Sequence, residues 1–454
     1  DNIFYKKIDE LFKNKQFESI KFEINLLGEE EKKDPYLYNI LGIIEATNKK
    51  NDEAINYFNL AVEIDKYYLH SLLNLSRLSY INKDFQNIIT LLKNYNLKFP
   101  ENDKVILTLA DLCFSAGFLE DTIYFHKKLI ETGKHRANDL AALIFLLNYS
   151  NKYSEKEYKK YCKLYDDILS KNITNYKIVS DEHDKAKIGF LSNDLRDHSV
   201  GYFLKDFIKK LKEKNFKTIA FNLFKNNKND FFDFELKNSF TEWYDVSDLN
   251  DKDLSDLIYS KKIYYLLDLG GYSTGNRLQV FKNKPVPVQF SWLGYCNNTY
   301  IDEIDYMVVD ENVIEHKNNL NSGNLIKMPK IWNSLSKLDD VRVNDLPFIG
   351  KNTFNFGCFN NFLKISEDTI EIWSKILTKF SNSNLVLKNS VSADKNYKKY
   401  LTKKFKNKID ENRIIILNYE KDKRKHLEQY LNIDLGLDTF PYNGVTTTFE
   451  SLWM

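Results

Sequence analysis

The sequence predicts an α + α/β chain: tetratricopeptide-type helical repeats in front of two Rossmann-like lobes, the second incomplete. Three observations carry this reading. Apolar positions in the first third recur at a fixed 34-residue spacing. From about residue 184 onward, short apolar runs alternate with polar helical stretches. The last set of runs stops after four, where a doubly wound lobe of the usual order has about six strands.

The repeats come first in the chain. Leu41, Leu75 and Leu109 are 34 residues apart, as are Ala54, Ile88 and Thr122, and Phe58, Leu92 and His126. LGIIEATNKKNDEAINYFNLAVEID is the clearest unit, with apolar residues three and four apart on either side of a turn. That pattern predicts a helix, a turn and a second helix, and the period is the tetratricopeptide one. A degenerate unit around Phe17–Leu27 precedes them. Residues 1–137 are assigned to the repeats and 138–183 to a helical linker. Stacked helix pairs make a concave surface suited to protein segments.

The lobes follow. KIGFLSND (187–194), KTIAFNLF (217–224), IYYLLDLGG (263–271) and PVQFSWLG (287–294) predict parallel strands of a first lobe over 184–345. A polar stretch, 334–350, leads to a second lobe over 346–454. Its expected strands are FNFGCFN, SNLVLKN, RIIILNY and DLGLDTF, with a lysine-rich helix between the second and third. SEDTIEIWSKILTKF reads as a helix with a capping box at Ser366. KDKRKHLEQYLNI is a further helix, and TTTFESLWM begins another. Ile433, Leu435, Leu437, Phe449 and Leu452 are expected core positions of a complete lobe, several of them left exposed in this chain. The chain ends inside the helix that starts at Thr446, so the sequence is expected to be a C-terminally truncated piece with a loosened ligand site.

Composition narrows the function. The chain has 454 residues, 66 Lys+Arg against 64 Asp+Glu, and a net charge of +2. That balance gives no reason to expect nucleic acid or an anionic membrane as partner. Cys113, Cys162, Cys296 and Cys358 have no metal-ligand spacing and are too few for a disulfide framework. The longest apolar run, AALIFLL from Ala141, is too short to span a bilayer. A soluble protein of the reducing cytoplasm is expected.

Two segments carry candidate chemistry. In DTFPYNGVTTTFESLWM a strand ends at Asp438, a turn follows and threonines open a helix. Gly444 would let the backbone approach a phosphate, and the N–H groups of Val445, Thr446 and Thr447 would face it, aided by the helix dipole. In FGCFNNFLKIS, Lys364 lies just past a strand end and would point into the cleft between lobes. Such groups would stabilise a departing diphosphate without metal.

GFLSNDLRDHSVGYF, PVPVQFSWLGYCNNTYIDEIDYMVVD, FGCFNNFLKISEDTIEIW and LDTFPYNGVTTTFESLWM occur in this order. Together they resemble the catalytic region of the protein O-GlcNAc transferase family, which includes Spindly-type O-fucosyltransferases. The resemblance implies a B-type two-lobed fold and an inverting, metal-independent transfer to Ser or Thr of intracellular proteins. By this resemblance His198 lies beside the donor pyrophosphate and sugar, and Lys364 binds the leaving diphosphate. His426 stacks on the uracil, Lys423 reaches the ribose, and Thr446 and Thr447 bind phosphate. Glu450 replaces an Asp that holds the ribose. Asn361 stands for a Gln and Leu363 for a Tyr of the animal enzymes, and Val445 for a histidine. Gly294 and Tyr295 match a loop that touches the transferred sugar, with Cys296 in place of the common Pro after them.

The expected function is therefore transfer of GlcNAc from UDP-GlcNAc to protein hydroxyls. No cofactor or metal is expected, and acceptor proteins would be recruited through the repeats. Transfer of fucose from GDP-fucose is the nearest rival, and a remoter one is an N-glycosyltransferase acting on Asn. A repeat scaffold with decayed transferase lobes is the rival from another class.

Overall fold

A computed structural model of the chain describes residues 2–82, 84–225, 231–315, 324–336, 338, 341–389, 395–405 and 408–454. Part of the polar stretch 334–350 and the ends of the lysine-rich helix lie outside the described residues. The chain divides into two compact units. One is Asp1–Lys134 with Ser390–Lys406; the other is His135–Asn389 with Asn407–Met454.

The first unit is built from α1 (Asn2–Lys13), α2 (Phe17–Asn25), α3 (Pro35–Thr47), α4 (Asn51–Ile64), α5 (Leu69–Asn82), α6 (Gln86–Lys98), α7 (Asp103–Ser115) and α8 (Leu119–Glu131). The 34-residue positions fall on equivalent helices: Leu41, Leu75 and Leu109 on α3, α5 and α7, and Ala54, Ile88 and Thr122 on α4, α6 and α8. Ala54, Ile88, Thr122, Phe58, Leu92 and His126 are all buried. Each small residue lets the paired helix come close, and each large one fills the gap beside it. Gly42 is the tightest case: a Cβ there would lie 2.5 Å from the Phe58 ring. Local signals set the ends. Asp34 accepts the Tyr36 N–H at 2.8 Å with Pro35 opening α3, and Asn102 accepts the Val105 N–H at 3.2 Å at α7.

The second unit opens with α9 (Ala137–Leu147) and α10 (Glu155–Leu169). The apolar run at Ala141 is a buried helix face in α9. An α/β succession follows: β1 (Asp184–Ser192), α11 (Ser199–Glu213), β2 (Lys217–Asn222), α12 (Phe231–Ser239), β3 (Glu242–Asp245), α13 (Asp251–Ser260), β4 (Ile263–Asp268), α14 (Leu278–Asn283), β5 (Val288–Ser291), β6 (Tyr306–Val309), α15 (Glu311–Glu315) and β7 (Leu325–Lys327). The seven strands form one sheet in the order β3-β2-β1-β4-β5-β6-β7, parallel throughout. Four of them were legible as apolar runs. β3, β6 and β7 have only three or four residues each and are partly exposed, so their runs are too brief to stand out.

The remaining elements are α16 (Pro347–Lys351), β8 (Phe354–Cys358), α17 (Glu367–Lys379), β9 (Ser383–Leu387), α18 (Lys395–Phe405), β10 (Ile414–Ile416), α19 (Lys423–Glu428), β11 (Leu435–Gly436) and α20 (Thr446–Trp453). Their four strands form a second parallel sheet, β10-β9-β8-β11. The order of each sheet reverses once, between β1 and β4 in the first and between β8 and β11 in the second. At such switch points the loops leaving adjacent strands part and open a crevice at the carboxyl ends.

One expectation is corrected here. Ser366 caps α17 by accepting the Thr369 N–H at 3.1 Å, but the residue three on is Thr369, which lacks a carboxyl to return the bond, so there is no capping box. The five apolar positions near the end, several of them expected to be uncovered in this chain, are none of them buried. Leu435 is 47% and Leu452 81% exposed, and Ile433, Leu437 and Phe449 are half-buried. β11 is an edge strand of two residues, which covers little.

Candidate functional site

The switch point of the second sheet collects the candidate residues. The loop after β8 carries Asn360, Asn361 and Lys364; the loop after β11 carries Asp438, Gly444 and the start of α20. Asn361 begins a 3-10 turn, Phe362–Lys364, by accepting the Leu363 N–H at 3.0 Å. The turn buries Phe362 and Leu363 and leaves Lys364 at its end. The Lys364 ammonium donates to the Asn443 carbonyl at 3.2 Å and lies 4.6 Å from the Tyr442 ring centre and 5.8 Å from that of Tyr149. Burial between those rings lowers the lysine pKa, with Cys296 and Asp438 acting the other way.

Asp438 shapes the turn that meets it. Its Oδ1 accepts the Gly444 N–H at 2.7 Å and an Asn360 amide hydrogen at 2.8 Å. The Asn360 side-chain carbonyl oxygen in turn accepts the Thr447 hydroxyl. A Cβ on Gly444 would lie 2.5 Å from that oxygen and 2.6 Å from the Thr447 hydroxyl, so only glycine fits. α20 then starts without a side-chain cap, because valine, not threonine, stands at its N-cap. Among the described residues, no protein acceptor faces the N–H groups of Val445, Thr446 and Thr447. A lysine and a bare helix N-terminus converge here. Two positive features side by side repel unless an anion joins them.

The first lobe contributes α11. His198 is its N-cap: Nδ1 accepts the Val200 N–H at 3.3 Å and lies 3.7 Å from Asp194 Oδ1. Accepting at Nδ1 puts the neutral ring's proton on Nε2, so His198 presents a donor. Burial lowers its pKa, and Asp194 partly offsets that. The residues beyond it, Val200 and Phe203, pack in one cluster with Val445 and Phe449, and the Phe203 and Phe449 rings are 5.6 Å apart. Lys423, at the start of α19, sits 3.2 Å above the Tyr202 ring centre. His426 is one turn further on. Its Nε2 lies 3.0 Å from Glu450 Oε2, which also accepts the Tyr430 hydroxyl at 3.2 Å. His426, Lys423, Glu450, Thr446, Thr447, Gly444, Asn361, Lys364 and His198 therefore stand on the facing ends of the two sheets.

Two residues expected near the sugar have buried side chains. The Tyr295 side chain is interior, 2% exposed, with its hydroxyl on Tyr158 at 2.5 Å and on Asn148 at 2.9 Å. Its ring packs on Gly271, where a Cβ would lie 2.5 Å away. Leu363 is buried as well, 5% exposed. Both fill dry space, so they support the loops from behind. Gly294, just past β5, runs against the main chain after β4: a Cβ there would overlap the Leu269 carbonyl at 1.8 Å. Asn360, Asp438, Tyr149 and Tyr442 were not among the sequence candidates. The signal for the first two was a polar residue immediately past an apolar run. Cys296 is half-exposed and the other three cysteines are buried and free. Among the described residues no three His, Cys, Asp or Glu converge as a metal site needs. No described helix is long and apolar enough to cross a membrane.

The family described as glycosyl transferase family 41 matches residues 149–332 and 346–454. The chain is 29% identical over 308 residues to a rice (Oryza sativa subsp. japonica) protein described as a probable UDP-N-acetylglucosamine–peptide N-acetylglucosaminyltransferase SPINDLY, covering 65% of this chain and 32% of that one. It is 24% identical over 287 residues to the Arabidopsis thaliana protein SEC of the same description, covering 59% and 28%. It thus spans about a third of the length of these curated relatives. A solved mutant of the Thermobaculum terrenum O-GlcNAc transferase superposes with a TM-score of 0.74 at 22% identity, covering 94% of this chain and 82% of that one. That likeness is one of fold.

Proposed function

The chain belongs to glycosyl transferase family 41, and on that premise we propose that it moves a sugar from a nucleoside diphosphate to hydroxyl groups of proteins. The observation that carries this is the meeting of Lys364 with the uncapped start of α20, a site for a diphosphate. The donor is UDP-GlcNAc, and the acceptors are Ser and Thr. The acceptor hydroxyl attacks the anomeric carbon from the face opposite the phosphate. The new C–O bond forms as the bond to the diphosphate breaks, and the diphosphate keeps the electron pair. Lys364 and the N–H groups of α20 meet that charge, which is why no metal is required. The hydroxyl proton passes to a phosphate oxygen or to water. His198, with its donor at Nε2, holds the diphosphate or the sugar and does not take that proton.

Catalysis here rests on fixed donors aimed at a developing charge, and on holding the two reactants in line. The relatives' descriptions support the uridine donor, and the helical repeats support recruitment of acceptor proteins. Deleting residues 1–137 is then expected to weaken transfer to whole proteins more than to short peptides. Equal losses on both would reduce the repeats to a support for the fold.

Calorimetry with UDP, UDP-GlcNAc, GDP and GDP-fucose tests the donor. Uridine nucleotides are expected to bind more tightly. GDP binding at least about tenfold tighter than UDP, a gap of about 1.4 kcal/mol, would replace this reading with fucosyl transfer. Absence of binding by all four would remove the transferase reading.

A further inference from the structure

Lys388 is the residue that this site uses and that no motif marks. It follows β9 directly, at the carboxyl end of the sheet where ligands bind. Most lysines are solvated, yet this one is 2% exposed. Its ammonium lies 2.5 Å from His426 Nδ1 and 5.2 Å from the Phe359 ring centre. A charged lysine has three donors and no acceptor. His426 Nδ1 must therefore accept, which places the ring proton on Nε2, aimed at Glu450 Oε2 3.0 Å away. Tyr430 donates to the same carboxylate oxygen. The four side chains form one directed chain of hydrogen bonds, Lys388 to His426 to Glu450, with Tyr430 joining at the carboxylate.

We infer that Lys388 is a positioning residue of the donor site: it sets the tautomer and plane of His426 and, through His426, the place of the Glu450 carboxylate, and so it governs nucleotide binding. This inference rests on the donor-site reading of His426 and Glu450 given above. A histidine with a free ring can rotate about its second side-chain torsion. Bonded at both nitrogens, from opposite edges, it is held and offers one fixed face for a nucleobase. Glu450 receives two contacts at Oε2, which leaves Oε1 turned to hydroxyl groups such as those of a ribose.

The arrangement has a pH signature. Burial lowers the Lys388 pKa to about 8, with Glu450 and Glu420 opposing. The titratable groups facing Lys388 are His426 on α19, Tyr430 just after it, Glu450 on α20, Glu420 before α19, and Cys358 at the end of β8, whose carbonyl accepts the Lys388 N–H. The ammonium is the form that holds His426, so nucleotide affinity is kept below about pH 8 and falls as pH rises through it.

The test is UDP affinity of the whole protein by calorimetry between about pH 6.5 and 9, on either side of the lysine's titration, for wild type, Lys388→Met, Lys388→Arg and His426→Ala. Lys388→Met keeps an unbranched chain one atom shorter and loses the charge. It is expected to weaken UDP binding about tenfold at neutral pH, the size of one charge-assisted hydrogen bond. The difference between wild type and Lys388→Met cancels the ligand's own titration, and it is expected to shrink above about pH 8. Lys388→Arg restores part of the affinity without that pH step. Nitrogen NMR of His426 should show the single Nε2-protonated tautomer of the wild type give way to a mixture in Lys388→Met, while the rest of the spectrum is kept. If His426→Ala weakens UDP binding and Lys388→Met leaves both affinity and pH profile unchanged, the role of Lys388 is overturned. If His426→Ala changes nothing, the donor-site reading beneath it fails instead.

Discussion

The ammonium of Lys364 donates to the main-chain carbonyl of Asn443, 3.2 Å away, at the threshold of the uncapped helix α20. The bond joins the two loops that flank the switch point of the second sheet. It also spends one of three lysine donors on the protein and leaves the rest for a ligand. Lys364→Ala is expected to lower turnover on the order of 10²-fold, the cost of removing one preorganised donor from a developing charge. Circular dichroism should be unchanged. Near-normal turnover in an active preparation would remove Lys364 from the mechanism.

Gly444 is where the turn has no room. Its Cβ position is already taken by Asn360 Oδ1 and the Thr447 and Thr448 hydroxyls, all within 2.7 Å. Gly444→Ala is expected to push Thr447 off Asn360 and to shift the start of α20. Nucleotide affinity should fall about tenfold or more, while the thermal midpoint drops by only a few degrees, as for loss of about 1 kcal/mol. The measurement is a UDP titration beside a melt. A variant that melts like wild type and binds like wild type would show that the turn does not set the site.

His198 gives a pH dependence of stability whose sign follows from burial. Its pKa is lowered in the folded state, so below about 6.5 the unfolded chain binds the proton more readily. Stability from this group is complete above the unfolded value and is lost as pH falls through the folded one. His198→Asn keeps an acceptor at the helix cap and removes the titration. The difference in denaturation midpoint between wild type and variant should therefore grow from about pH 5 to about pH 7 and then level. A difference independent of pH would assign His198 to capping alone.

In the repeats, Gly42 faces Phe58 at a distance no methyl group tolerates. Gly42→Ala is expected to cost about 1–3 kcal/mol by overpacking, despite alanine's better helix propensity. Chemical denaturation of the whole protein checks it, and a stabilised variant would mean the helix pair can part freely.

What the sequence made legible follows from what repeats and what burial hides. The repeats were legible because Ala54, Ile88 and Thr122 are all buried where a neighbouring helix packs, and such a need recurs with the unit. The strands of the first sheet were legible where the core covers both faces, as at Phe190 and Leu266, and were lost at Glu242–Asp245, where side chains are partly exposed along the whole strand. At the site, Lys364 and Gly444 stood out by position after a strand and in a turn. The direction of the Tyr295 ring was not legible, because a Gly-Tyr pair in a loop has the same spelling whether its ring faces outward or Gly271. Lys388 was missed for the opposite reason: in a chain rich in lysine, one more after an apolar run reads as surface, and only the fold brings His426 and Phe359 over it.

Val445 at the start of α20 has one more consequence. Where Ser or Asp would close the helix from within, this chain leaves the start of α20 open, so on the proposed reading a bound diphosphate completes the fold. Mass action then ties the two together: nucleotide at about a hundred times its dissociation constant adds about 2.7 kcal/mol. Resistance to proteolysis around Asn443–Thr448 should accordingly rise with UDP concentration and saturate with the binding curve. The lifetime of the protein, and not its rate alone, would then register the supply of activated sugar.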